Sequence, residues 1–229
     1  MSAEELKLAD ELFDDIKYQD AVDLLNQLSD KDTSVEIQWR LARAIFFISK
    51  QTSNGDEKEK FVRDAFEYAK KALELDEKNF GANKWYGAIL SDKSNLDGVT
   101  ERIKQLENVK KHFTIAKDIN PKDPGTLHML GQFNFKLSEV NWVTRKLINS
   151  VAPNPPTASF EEALECFEQA ENLKPGFYSQ NWLYLGKTFI ALKQHDKARE
   201  WLEKAASVEI RTVDDRICRE EANQALKQL

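Results

Sequence analysis

The residues best equipped for chemistry in this 229-residue chain are three histidines, two cysteines and several paired acids, and their spacing serves no reaction. His112, His128 and His195 are scattered and join no H-E-x-x-H or Cys/His array with metal-ligand spacing. Cys166 and Cys218 are distant and unpatterned, so free thiols in a reducing compartment are expected. The pairs Asp14-Asp15, Glu161-Glu162 and Asp214-Asp215 fall at helix starts or on polar faces, and stabilisation of a helix N-terminus accounts for two of the three. No phosphate loop, G-x-S-x-G elbow or dinucleotide fingerprint occurs. The expectation is a non-enzymatic protein with no catalytic residue, no metal and no cofactor.

What the pattern offers instead is recognition, and that follows from repetition. Apolar residues recur at helical spacing almost throughout, as in Leu6, Ala9, Leu12, Phe13 and Ile16, then Ala21, Leu24, Leu25 and Leu28. The tetratricopeptide pattern is complete in Trp182, Leu185, Gly186 and Phe189 followed by Ala198, Leu202 and Ala205. Partial matches precede it at Ala9 to Leu25, Trp39 to Ala72, Tyr86 to Pro121 and Leu127 to Pro175. Gly186 and Ala198 are the small residues that let two helices approach, while Trp182, Phe189 and Leu202 fill the space around them.

The reading is an all-α, tetratricopeptide-like superhelical solenoid in a single domain over residues 1–229. Its five antiparallel helix pairs lie near 2–29, 35–76, 80–120, 124–174 and 179–209, and a capping helix over 213–228 covers the apolar end. Aligning Ala9, Arg43, Gly87, Gly131 and Gly186 as the close-contact position gives separations of 34, 44, 44 and 55 residues. Against an ideal period of ~34, the extra residues are assigned to loops at 51–56 and 94–98 and to the segment 137–157. That last segment is read as an extended first helix ending in a proline-limited crossover.

First helices line the concave face of such an array, so equivalent positions stack into rows. Three residues before the close-contact position stand Arg40, Lys84 and His128; one residue after it, Gln132 and Lys187 extend the row; Trp85, Met129 and Tyr184 run alongside. A cationic row beside aromatic rings suits an acidic peptide or an anionic head group. The candidate ligand-binding residues are therefore Arg40, Arg43, Lys84, Trp85, His128, Gln132 and Lys187. Trp39, Trp182 and Trp201 are assigned to the core. The Asn positions of the chaperone-binding carboxylate clamp are missing, so chaperone C-termini are not expected ligands.

Charge sharpens the location. Residues 1–76 hold 11 basic and 18 acidic side chains (−7), residues 77–157 hold 12 and 8 (+4), and residues 158–229 hold 10 and 13 (−3), which sum to the net −6. A basic waist between acidic ends attracts an acidic partner locally, and nucleic acid is not an expected partner. No apolar run reaches the roughly 18 residues that span a bilayer, and the acidic start Met1-Ser2-Ala3-Glu4-Glu5 is not a targeting peptide.

Several segments together resemble the family of regulators of microtubule dynamics: Trp39-Arg-Leu-Ala-Arg-Ala44, Trp85-Tyr-Gly-Ala88, Leu127-His-Met-Leu-Gly131, Phe160-Glu-Glu-Ala-Leu164 and Asn181-Trp-Leu-Tyr-Leu-Gly-Lys187. The similarity runs through nearly the whole chain, including the Pro-Pro segment before Phe160. It implies a cytoplasmic protein on spindle microtubules and poles that contributes to chromosome segregation, with tubulin or an acidic peptide as partner. Some members of that family carry a membrane anchor and a phospholipid-binding repeat domain. A phospholipid-binding or transfer module is therefore an alternative, with an acyl cavity bounded by Phe46, Phe47, Phe133, Phe135 and the Trp142 segment. A scaffold for another spindle protein is a third. The family brings no catalytic residues.

Overall fold

The computed structural model describes residues 2–152 and 154–229, and every regular element among them is a helix. They are α1 (Ala3–Asp14), α2 (Tyr18–Gln27), α3 (Val35–Gln51), α4 (Gly55–Leu75), α5 (Phe80–Leu96), α6 (Val99–Ile119), α7 (Pro124–Ser138), α8 (Trp142–Val151), α9 (Phe160–Leu173), α10 (Ser179–Ala191), α11 (His195–Ala206) and α12 (Val213–Leu226). Contacts divide the chain into two compact units, residues 1–120 and residues 121–229.

The first unit holds three hairpins, α1–α2, α3–α4 and α5–α6. α2 also packs on α3 and α4 on α5, and α3 touches both α1 and α5. Alanines make this possible: Ala21, Ala42, Ala65, Ala69, Ala72, Ala82 and Ala116 are all essentially inaccessible, so helix backbones approach with larger neighbours closing the gaps. Trp39 lies over Gly81, where an added Cβ would stand 2.5 Å from its indole.

In the second unit α7 pairs with α9 across the intervening α8, α10 pairs with α11, and α12 closes on α10 and α11. Phe167 is fully buried and sits where a Cβ on Gly131 would be, 2.6 Å away. The last helix earns its place through a second core of Leu183, Leu202, Ala205, Cys218 and Ala222. Polar ties fix its start. Thr212 and Asp215 form a capping box, the Ser179 hydroxyl donates to Asp215 at 2.7 Å, and the Tyr178 hydroxyl donates to Asp214 at 2.5 Å.

Three details depart from the sequence reading. The extra residues of the second and third pairs mostly lengthen the helices, and the loops expected at 51–56 and 94–98 shrink to residues 52–54 and 97–98. Helices α3 and α5 have 17 residues and α4 and α6 have 21, against 13 and 12 in α10 and α11. Turn formers that suggested a loop at 51–56 act as a cap: the Asn54 side chain accepts from the Glu57 N–H, and Asp56 and Glu57 sit in the first turn of α4. At 94–98 the helix runs on to Leu96, and Gly98 at φ +99° is the N-cap of α6.

The second departure is in the segment 137–157. α7 ends at Ser138, and Asn141 starts the separate helix α8 by accepting from the Thr144 N–H. Pro153 of that segment lies outside the described residues.

The third concerns register. Buried Gln38, Ala42, Ile45 and Ser49 stand 45 residues before buried Asn83, Gly87, Leu90 and Ser94. The small residue of α3 at the close approach is therefore Ala42, not Arg43. One residue of slip is about 100° around a helix, so it moves every side chain of α3 to a different row.

Candidate interaction surface

The slip removes Arg40 from the row expected with Lys84: in the observed register Arg40 is equivalent to Trp85, and Trp39 to Lys84. Arg40 and Arg43 also have an internal occupation. Asp10 of α1 accepts from Arg40 Nη2 at 2.8 Å and from Arg43 Nη2 at 2.6 Å, and Glu36 accepts from Arg40 Nη1 at 2.6 Å. The side chains of Arg40 and Arg43 are only 11% and 13% exposed. The Arg43 guanidinium lies 3.8 Å over Phe13, and that of Arg40 lies 4.1 Å over Trp39. Burial raises the affinity of Asp10 for a proton, but the hydrogen bonds and charges of Arg40 and Arg43 outweigh it and hold the carboxyl below its ordinary range. Burial pushes the Arg43 guanidinium below its ordinary value, against the opposing pull of Asp10. This cluster locks α1 to α3.

Trp85 is 6% exposed and meets Phe47 edge-on at 5.9 Å, which makes it core. Lys84 beside it is half-buried, its ammonium 5.6 Å from Phe80 and 5.4 Å from Trp85.

His128, Gln132 and Lys187 belong to the second unit. His128 is 3% exposed, with Nδ1 3.0 Å from Asn181 Oδ1 and rings of Tyr178, Phe167 and Tyr184 around it. It is a core histidine, closed off from a partner by its burial. Gln132 is half-buried. Lys187 donates to Glu221 of α12 at 2.5 Å, an internal tie on a partly open side chain. Of the seven residues, the structure brings together Arg40 with Arg43 and Lys84 with Trp85.

The phenylalanines expected to bound an acyl cavity are packed instead. Phe46 is buried, and Phe47 stacks among Phe13, Tyr18 and Trp85. Phe135 belongs to the core around Phe167, Leu185 and Phe189, and Phe133 is 9% exposed.

Two surfaces escaped the sequence reading. A cleft of about 540 Å³ opens between α2, α3 and α4, floored by Val22, Ile45, Ile48 and Phe61 and rimmed by Gln19, Asn26, Asp64, Glu67 and Tyr68. The second is the outer face of α8, where Trp142 is 69% exposed, Val143 67% and Leu147 42%. The amphipathic spacing of α8 was visible in sequence, but which side faced solvent was not. Among the described residues no group of three or more His, Cys, Asp and Glu could hold a metal, and no helix is long and apolar enough to cross a membrane.

Comparison with known proteins places the chain. The family model of "Regulator of microtubule dynamics protein 1-3" matches residues 6–229. The chain belongs to the regulator of microtubule dynamics family. Regulator of microtubule dynamics protein 1 of Bos taurus is 35% identical over 225 residues, covering 98% of this chain and 71% of that protein. The Mus musculus protein 1 is 36% identical, covering 96% and 72%. Protein 3 of Xenopus laevis is 31% identical, covering 79% of this chain and 39% of its own length. Solved structures share the helical-repeat fold at low identity. A thermophilic tetratricopeptide protein of Thermus thermophilus superposes with TM-score 0.63 at 16% identity, over 96% of this chain and 98% of that one. PilF of Pseudomonas aeruginosa superposes with TM-score 0.57 at 15% identity, over 98% and 89%. This member of the family is thus an all-α protein of tetratricopeptide-like repeats, related by sequence to proteins named for microtubule dynamics.

Proposed function

We propose that this chain is a non-enzymatic, microtubule-associated interaction protein that acts in the cytoplasm at spindle microtubules and poles during chromosome segregation. The observation that carries the reading is the family match, which runs unbroken through both units. A repeat fold built for surface recognition supports it. Attraction to acidic tubulin tails is assigned to the first-unit part of the basic stretch 77–157, with Lys84 and the lysines of α6 as its first contacts. Arg40, Arg43 and Trp85 support the fold of the first unit and His128 that of the second, because their side chains are held in internal contacts.

Attraction between exposed charges is screened over ~8 Å at physiological salt, so binding is expected to be weak and salt-sensitive. Co-sedimentation with microtubules across a salt series tests this. The bound fraction should fall steeply as salt rises, and Lys84→Glu with Lys111→Glu should lower it at low salt. Binding indifferent to both salt and charge reversal would overturn the mechanism. If purified tubulin alone fails to bind while a spindle extract supports association, the protein is a scaffold for another spindle component.

A further inference from the structure

α8 stands apart from the packing that explains the rest of the chain. Its inner face holds Thr144, Arg145, Ile148 and Val151, and only Ile148 is deeply buried, at 3% exposure. Arg145 ties the helix back by donating from Nη2 to the Leu137 carbonyl at 2.7 Å. The outer face carries Trp142, Val143 and Leu147 beside Lys146, whose ammonium lies 3.9 Å over the Trp142 ring. Tryptophan is the residue type whose burial most often dominates an interface, and isolated exposed apolar residues are ordinary only when they stand singly. Here three adjoin on one helix face.

We propose that the outer face of α8 is a docking surface for an acidic, amphipathic protein segment. Trp142, Val143 and Leu147 would receive its apolar side and Lys146 would pair with a carboxylate. The charge of the region selects this occupant. No acidic residue occurs between Glu139 and Glu161, while Arg145 and Lys146 fall within that stretch. A flat anionic bilayer would meet the field of the whole protein, which is net −6, whereas a single acidic segment meets only the local positive field. A basic segment would set its charge against Lys146. The inference goes beyond the microtubule reading and does not need tubulin to be the partner.

The test uses the full chain and a short fluorescein-labelled amphipathic peptide with Glu on its polar face and Leu on its apolar face, alongside a twin bearing Lys for Glu. Fluorescence anisotropy should show the Glu peptide bound in preference to its twin. Trp142→Glu should raise its Kd by about tenfold or more. Lys146→Glu should weaken the Glu peptide and improve the Lys twin. Both side chains lie at the surface, so circular dichroism melts should leave the variants folded like the parent. Equal binding of the two peptides, or no loss on Trp142→Glu, would overturn the proposal. So would vesicles of phosphatidylserine that bind through Trp142 while the peptide does not, or self-association through Trp142 in sedimentation velocity. None of these outcomes touches microtubule co-sedimentation, so failure here leaves the proposed function standing.

Discussion

The cluster of Asp10, Arg40, Arg43 and Glu36 is where single side chains matter most. Arg43 is nearly enclosed, and its charge is tolerated because Asp10 stands 2.6 Å away. Removing the acid alone leaves a buried cation without its partner, whereas replacing the cation by an apolar group of similar length leaves a packed contact. Asp10→Asn should therefore cost about 2 kcal/mol, while Arg43→Met should cost under about 1 kcal/mol because it keeps the stacking on Phe13. Urea melts of the two variants check the order. His112 supplies a pH signature. Its Nδ1 lies 2.8 Å from Asn83 Oδ1, and burial, assisted by Lys111, pushes its pKa down from 6.5 to about 4. Between those values the unfolded chain binds a proton that the folded chain refuses, so stability falls as pH drops from about 6.5 to about 4. Allowing for its partial exposure, the loss is about 1–2 kcal/mol. His112→Gln should flatten that slope in melts run across the same pH range, and an unchanged slope would assign it to other groups.

At the scale of elements, turns and close approaches decide how helices pair. The two shortest hairpins turn on a residue with positive φ, Ile16 at 66° and Lys193 at 59°, and their next residues bond back to Leu12 and Phe189. Lys193 is exposed, so only its backbone strain is at issue. Lys193→Gly should raise stability by about 0.5–1 kcal/mol, measured as a higher Tm. The close approach of α7 and α9 gives the opposite sign. Gly131→Ala drives a methyl into Phe167 and should cost about 1–3 kcal/mol. Gly55→Ala, at the open first turn of α4, meets nothing within 4 Å and should be neutral or stabilising by up to about 1 kcal/mol. A thermal melt in which both alanines behave alike would refute this account of the packing.

For the molecule as a whole, two features set behaviour: two contact-dense units and an uneven charge. The first unit carries 19 basic and 24 acidic residues (−5), and the second 14 and 15 (−1). Each has its own buried core, so residues 1–120 and 121–229 made separately should each show a helical circular dichroism spectrum and a cooperative transition. A fragment that stays unfolded would show that its core is incomplete alone. Net charge of this size and sign favours solubility and confines attraction for acidic partners to local patches.

Periodicity alone determined that the chain is helical and that most of its helices come in pairs, because 3.6-residue spacing and Ala/Gly positions are local properties of the sequence; it did not fix the helix ends near 51–56 and 94–98 or separate α8 from α7. The family resemblance was legible separately, in sequence motifs such as Trp85-Tyr-Gly-Ala88 and Asn181 to Lys187. Tertiary structure decided which cations are available. Ala42 and Arg43 are neighbours in sequence, and only the burial of one and the pairing of the other with Asp10, thirty-three residues away, fixes the register. His128 looked like a groove cation until Asn181, fifty-three residues on, enclosed it. Exposure belongs to the same class of fact: α8 is amphipathic in sequence, yet nothing local says that Trp142 rather than Ile148 faces water. Helix formation depends on near neighbours, while burial and charge pairing depend on residues the chain brings together only after it folds.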